Sequence, residues 1–397
     1  MRKLFCLPCE IQHREFDSKL LLASRIADAG DSVVLVGYDR YFSSILRHIP
    51  NCFLLDKSMS TIMLNSRIKP CKENNGVVFI NDEEGVNDLE ETPEALDIRA
   101  DNNSVAYIDK YLAWGSDDAS FFGARKQNLA SKIIITGSHR YDLLSSLGKN
   151  LYAEDISSIR RIFGDFILYN DNLAVDHYDK NYQPPTSLFK SDTKQQSKAT
   201  NEWSDLVLNH TSRRILVRDF ILSLAKSGLN IVVRPHPVYD PIFWHESFRL
   251  IPNIHTIYQH SVEPWIHASR AVITTGCTTG LQALLAHVPS FEMPVGKSSA
   301  FSSNVLPVCS SSSSLTRRSI SQLSHHFDLA RQQSMNRWHH VGSTTQIMSD
   351  LILDSSGILR PQKSFEFLKK IKSLTPNAPK WRNLSDDQVK DKFNKIV

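Results

Sequence analysis

The chain has 397 residues, 41% of them hydrophobic and 22% charged, which excludes a disordered or fibrous class and makes two domains the simplest expectation. A net charge of +4 is too small to imply a nucleic-acid partner, and six irregularly spaced cysteines point to a reducing compartment rather than a disulfide framework. No apolar run reaches the roughly 18 residues that span a membrane, and Pro8 and Glu10 break the apolar start before signal-peptide length.

The first half reads as strands alternating with helices. Residues 3–7 make a short apolar run suited to a buried parallel strand. Residues 16–29 follow, with Phe16, Leu20, Ala23, Ile26 and Ala27 at helical spacing and Gly30 at the C-cap position. Residues 32–36, 77–80 and 133–136 are further β-branched or apolar runs ending in polar or glycine punctuation. This alternation implies right-handed βαβ units and parallel sheets covered on both faces. Residues 166–169 read as a strand, and the polar stretch 178–201, with Pro184 and Pro185, reads as a long loop near a domain boundary. A second α/β block then follows: helix 213–227, strands 230–233, 254–257 and 271–274, helix 279–286 and strand 289–293. The serine run 310–314 reads as a loop. From residue 361 onward nine Lys or Arg stand against four Asp or Glu, with Phe365, Leu368, Ile371 and Leu374 near helical spacing, a basic amphipathic tail.

Several familiar signatures are missing. No G-x-G-x-x-G follows a strand, no P-loop is present, and no Asp-x-Asp triplet supports a metal-chelated nucleotide diphosphate. Cys6 and Cys9 form a C-x-x-C on the first strand with no second pair, so buried structural thiols are expected there.

Three clusters lie just after expected strands, on the carboxyl edge where open α/β sheets bind ligands. Asp82-Glu83-Glu84-Gly85 crowds three carboxylates beside a glycine; crowding raises their pKa and suits a general base or nucleophile. The plainer alternative is a helix start favoured by the macrodipole. Arg234-Pro235-His236-Pro237 fixes a cation and an imidazole between two prolines, able to hold an anion or to give a proton to a leaving phosphate oxygen. Its plainer alternative is a strand terminator with a solvated His. Thr274-Thr275-Gly276-Cys277-Thr278-Thr279-Gly280 brings N–H groups, hydroxyls and a helix dipole to one place, a phosphate site or simply a Thr-capped helix.

These clusters, together with Arg14-Glu15-Phe16-Asp17, Ala113-Trp114-Gly115, Arg140-Tyr141-Asp142-Leu143-Leu144, Asn172 and Pro264-Trp265, resemble the bacterial surface-carbohydrate biosynthesis proteins, a GT-B-type glycosyltransferase family. The matching stretches keep their order over about residues 1–295. A wider similarity reaches the transferases that use CMP-activated sialic acid or Kdo. Glu83-Glu84-Gly85, His236-Pro237 and Thr278-Thr279 are the counterparts of their three motifs, with Thr where Ser is usual.

The resemblance implies an α/β, GT-B-like fold of two Rossmann-like domains facing across a cleft. The N-terminal acceptor domain would span 1–165, a strand and polar linker 166–204, the nucleotide domain 205–345 and the tail 346–397; GT-B chains often send such a tail back to the first domain. It implies a catalytic carboxylate at Glu83 or Glu84 with His236, a nucleotide site of Arg234, His236, Pro237, Gly276, Thr278 and Thr279, and acceptor contacts at Arg14, Glu15 and Asp82. The implied donor is a CMP-sugar, with no cofactor and no metal. The implied acceptor is a surface polysaccharide or glycolipid, met in the cytoplasm or at the inner face of the membrane. A CDP-polyol phosphotransferase, a UDP-sugar 2-epimerase and a non-catalytic scaffold are the alternatives.

Overall fold

The structure is a computed structural model, and it describes residues 3–28, 32–83, 100–173, 193–236, 241–257, 261–293, 306–338 and 344–356. The chain folds into two compact units: 1–154 with 261–264 and 331–397, and 155–260 with 265–330.

The first unit holds a six-stranded sheet in the order β2-β1-β3-β4-β5-β6. The strands are β1 Lys3–Cys9, β2 Ser32–Tyr38, β3 Phe53–Asp56, β4 Val77–Ile80, β5 Lys110–Ala113 and β6 Ile133–Ile135, all paired in parallel. Alternate residues serve opposite faces, as the pleat requires. Phe5, Leu7, Phe53, Leu55 and Phe79 pack on one side against Leu22 and Ile26 of the helix Gln12–Ala27 and against Met348 and Ile352 of the helix Thr344–Ser356. Cys6, Leu54, Val78, Ile80 and Tyr111 pack on the other. Phe53 stacks edge-on to Phe79 with ring centroids 4.9 Å apart. Cys6 and Cys9 are both fully buried, as expected of structural thiols.

The second unit holds a five-stranded parallel sheet in the order β11-β10-β7-β8-β9. Its strands are β7 Phe166–Asn170, β8 Asn230–Arg234, β9 Ile254–Thr256, β10 Ala271–Thr274 and β11 Ser290–Glu292. Ile167, Tyr169, Ile231, Val233 and Ile273 pack with Val217, Ile221 and Leu224 of the helix Thr193–Ala225, and with Trp244 and Phe248. The fold is thus the expected α/β arrangement of parallel sheets with surrounding helices.

Two details differ from the sequence reading. The expected loop 178–201 is helical from Thr193 onward. Its Lys, Gln, Ala and Glu residues look like linker by polarity but are good helix formers. Its earlier part, through 192, lies outside the described residues, as do Gly30 and the basic tail. Strands β3 and β5 are additional; each carries a charged residue among its four, Phe-Leu-Leu-Asp and Lys-Tyr-Leu-Ala, so neither reads as an unbroken apolar run. Among the described residues no helix is long and apolar enough to cross a membrane.

Candidate functional site

In the first unit the carboxyl ends of β1, β3, β4 and β6 converge on a buried cluster of charges. The helix Gln12–Ala27 buries 13 of its 16 residues, polar ones included, so it is no ordinary amphipathic surface helix. Lys19 is only 1% exposed, and its ammonium has three acceptors for three donors: Pro8 O, Glu15 Oε2 at 3.3 Å and Glu83 Oε1 at 2.8 Å. Lys57, after β3, pairs with Glu10 and lies 3.7 Å from Glu15 Oε1. Two guanidiniums fix the backbone of Glu83: its carbonyl accepts from Arg14 at 2.7 Å and from Arg140 at 3.2 Å. Asn81 ties the strand ends together by donating to Leu112 O at 2.7 Å and Gly137 O at 3.3 Å.

The two carboxylates of the cluster differ. Burial alone would raise Glu15, but Lys19, Lys57 and Arg14 overcome it and hold the group at about 2. For Glu83 burial wins: its pKa is raised, with Glu15 adding repulsion that Lys19 and Arg140 only partly offset. Burial would lower the Lys19 pKa; Glu83 and Glu15 outweigh it, so Lys19 stays charged. His139, fully buried after β6, is lowered to about 3 by burial and then by Lys19 and Arg140, so its imidazole is neutral near pH 7. Its Nε2 lies 3.9 Å from Glu83 Oε1. Glu15 Oε1, Glu83 Oε2, Arg140 Nε and both ring nitrogens of His139 are buried with no hydrogen-bond partner. Buried polar atoms are normally satisfied, so five orphans in one cluster mark a place where a polar ligand would complete the bonding. A raised carboxylate beside a neutral imidazole is equipped to accept and pass a proton.

In the second unit the carboxyl edge is more open. Arg234 ends β8 with its guanidinium 5.3 Å from the ring centroid of Trp265, a cation–π contact, and His236 follows half-buried. Two strands away, at about 10 Å by strand spacing, β10 runs into Thr275 and Gly276. Gly276 has φ 87°, a left-handed conformation that favours glycine. The helix Thr278–Leu285 begins there, with Cys277 at the N-cap and no side chain capping it. The Thr-cap alternative therefore does not hold, since Thr278 is already inside the helix. Thr278 and Thr279 are half-buried, and Thr279 Oγ1 has no partner. Asn172, after β7, exchanges hydrogen bonds with the Thr275 hydroxyl and the Thr275 carbonyl, the latter at 3.2 Å. Beneath lies Asp171, buried, which accepts from Trp244 Nε1 at 2.8 Å, Leu173 N at 2.9 Å, the Tyr169 hydroxyl at 3.3 Å and Arg214 at 3.4 Å. Burial nevertheless leaves its pKa raised.

The structure therefore brings Arg14, Glu15, Asp82 and Glu83 together in one unit. Arg234, His236, Gly276, Thr278 and Thr279 share the carboxyl edge of the other. Glu84 and Pro237 lie outside the described residues. Sequence reasoning did not single out Lys19, His139, Arg140 or Lys57 as site residues. Among the described residues no group of three or more His, Cys, Asp or Glu is arranged to hold a metal ion.

No family model matches this sequence, and no curated protein matches it by sequence. Solved structures do match in shape. The UDP-GlcNAc 2-epimerase from Neisseria meningitidis bound to UDP-GlcNAc has a TM-score of 0.54 at 11% identity, covering 89% of this chain and 100% of that one. The S. aureus MnaA–UDP structure has a TM-score of 0.55 at 12% identity, covering 91% and 99%. An H548A variant of the wall teichoic acid polymerase TagF has a TM-score of 0.53 at 10% identity, covering 90% and 89%. Likeness at this identity establishes a GT-B-like α/β fold and nothing finer.

Proposed function

We propose that the chain is a glycosyltransferase that moves an acidic sugar of the Kdo or sialic acid kind from a CMP-sugar to a hydroxyl of a surface polysaccharide or glycolipid. The observation that carries this reading is Glu83. It stands at the carboxyl edge of a parallel sheet, held through Oε1 by Lys19 while Oε2 has no partner, and its pKa is raised chiefly by burial. Such a carboxylate takes a proton from an attacking hydroxyl more readily than an ordinary one. Glu84, outside the described residues, is the second candidate for the same role. Arg14, Glu15 and Asp82 are assigned to the acceptor.

The donor half rests on Arg234, His236, Pro237, Gly276, Thr278 and Thr279. A single phosphate asks for less neutralisation than a diphosphate, and Arg234, His236 and the helix dipole supply it. The reading needs no metal. A lipid-linked acceptor would be met through the basic tail, whose lysines suit the anionic inner face of a membrane.

The likeness to TagF, one structure of which was soaked with CDPG, and to epimerases bound to UDP-GlcNAc favours two alternatives. One is a CDP-polyol phosphotransferase and the other a UDP-sugar 2-epimerase. A thermal-shift panel of CMP, CDP and UDP separates the donors, since a ligand at 100 times its Kd stabilises by about 2.7 kcal/mol. The expected result is stabilisation by CMP, weakened by about 1.5–3 kcal/mol in His236→Ala. Glu83→Gln is expected to lose about 10²–10⁴-fold in transfer rate with CMP affinity unchanged. Near-native transfer in both Glu83→Gln and Glu84→Gln would end the reading. A phosphorus-containing linkage in the product, or turnover of a UDP-sugar without acceptor, would select one of the alternatives.

A further inference from the structure

The second unit has a cavity at the amino-terminal edge of its sheet, the edge away from Arg234, His236 and Gly276. Its volume is about 530 Å³, and Arg160, Asp165, Ala268, Arg270, Arg317 and Ile320 are among the residues lining it. Asp165 immediately precedes β7 and Arg270 immediately precedes β10. The cavity is therefore separated from the carboxyl-edge loops by the length of a four- to five-residue strand, about 15 Å.

The charges around the cavity do not balance. Arg270 grips Asp165 with two parallel bonds, Nε to Oδ1 at 3.0 Å and Nη2 to Oδ2 at 2.5 Å, and Arg317 adds a third to Oδ2 at 2.7 Å. These bonds, led by those from Arg270, hold the Asp165 carboxyl below its usual range although burial opposes it. Arg160 is fixed by donating to Ala268 O at 3.2 Å and His267 O at 2.8 Å. Three guanidiniums and one carboxylate thus line the cavity, an excess of two positive charges. Nη1 of Arg160 and both Nε and Nη1 of Arg317 make no hydrogen bond among the described residues. Planar forks of this kind match the oxygens of a dianion. Ala268, Gly164 and Ile320 add apolar wall, and the volume falls in the range of small-molecule sites.

We propose that this cavity is a second, non-catalytic ligand site, which takes a phosphate monoester carrying a body of about sugar size. The phosphate sits against Arg317 and Arg160, and the body lies along Ala268 and Ile320. Arg270 is held by Asp165 and Arg160 by two backbone carbonyls, so these two are ordered before the ligand arrives and lose little freedom on binding. Binding here is independent of what the carboxyl edges of the two units do.

The test is isothermal titration of the full chain with glucose 6-phosphate, glucose and inorganic phosphate, repeated with Arg317→Gln and His236→Ala. Arg317 is 80% exposed, so its substitution leaves the fold intact. The expected result is measurable binding of glucose 6-phosphate, at least tenfold weaker binding of inorganic phosphate, and none of glucose. Arg317→Gln should weaken glucose 6-phosphate about tenfold, while His236→Ala leaves it unchanged. Wild-type affinity in Arg317→Gln, loss in His236→Ala, no binding at all, or equal affinity for inorganic phosphate would each overturn the proposal.

Discussion

Both units end a strand in the same dipeptide and then diverge. Thr136-Gly137 follows β6, Thr275-Gly276 follows β10, both threonines are fully buried, and both glycines hold φ 87°. After Gly137 the chain tightens into the 3-10 turn His139–Leu144, and all six residues of that turn are buried. After Gly276 it opens into the helix Thr278–Leu285, whose first residues are half-buried and whose start no side chain caps. One device, turned inward, delivers a neutral imidazole to a closed cluster of charges. Turned outward, it presents N–H groups and hydroxyls. Proton chemistry gains from a dry site in which pKa values separate, whereas anion binding gains from an accessible dipole.

The comparison breaks most readily at Lys19. Three buried acceptors depend on its ammonium, two of them carboxylate oxygens. Lys19→Met would remove the cation paired with both Glu15 and Glu83, leaving Lys57 and Arg14 near Glu15 and Arg140 near Glu83. Removing one partner of a buried ion pair costs about 3–5 kcal/mol, and the loss should appear in urea unfolding of the first unit. The hub of the second unit, Asp171, has four donors around it, so its charge is not stranded in the same way. A loss below about 1 kcal/mol in Lys19→Met would mean that the first unit's cluster is solvated, and the contrast between the units would disappear.

The next effect sharpens the contrast through pH. The folded-state pKa of His139 is about 3, below its ordinary 6.5, so the unfolded chain binds the proton more readily. Its contribution to stability is intact above about pH 6.5 and is lost as the pH falls toward 3. Between pH 6.5 and 4.5 that amounts to roughly 2–3 kcal/mol. Glu83, raised by burial, has the opposite sign: it gains stability as it protonates. Glu15, held at about 2, loses its contribution only below its ordinary 4.5. His139→Gln should therefore flatten the slope of stability between pH 6.5 and 4.5. His210 and His255 of the second unit are also lowered, first by burial, but they are more open to solvent. An unchanged slope in His139→Gln would assign the acid sensitivity to them.

What the sequence made legible follows from the range of each interaction. The strands 77–80 and 271–274 were readable from local hydrophobicity, and they coincide with β4 and β10. Glu83 and His236 could be placed at a carboxyl edge because each comes within three residues of the end of such a strand. Lys19 was not singled out as a site residue: nothing local in the sequence marks a lysine for burial, and only the sheet edge above it makes Lys19 a buried hub with Glu15, four residues earlier. His139 was hidden for a similar reason. Its charge state depends first on burial in the folded cluster and then on Lys19 and Arg140, one of them 120 positions away in the chain. Asp171, Arg214 and Trp244 meet only when β7 and two helices pack together.

The smallest expected effect tests the outward-turned half. Gly280 lies in the first turn of the helix Thr278–Leu285, and a Cβ there would stand 2.9 Å from Leu306 Cδ1 and 3.3 Å from Thr274 Cγ2 and Oγ1. Leu306 Cδ1 is the end of a flexible side chain and can give way, whereas Thr274 belongs to β10 and its hydroxyl is bonded to Glu292 at 3.2 Å. The helix must therefore shift outward by a few tenths of an ångström. Alanine's better helix propensity, worth up to about 1 kcal/mol, offsets part of the overpacking cost of about 1–3 kcal/mol. Gly280→Ala is expected to cost about 1 kcal/mol in urea unfolding. The same shift moves the Thr278 and Thr279 N–H groups, so under the proposed CMP-sugar function the affinity for CMP should fall several-fold more than in a control substitution of equal stability cost elsewhere in the second unit. If stability falls and CMP affinity does not, the start of this helix takes no part in nucleotide binding, and the two Thr-Gly turns share a backbone conformation without sharing a purpose.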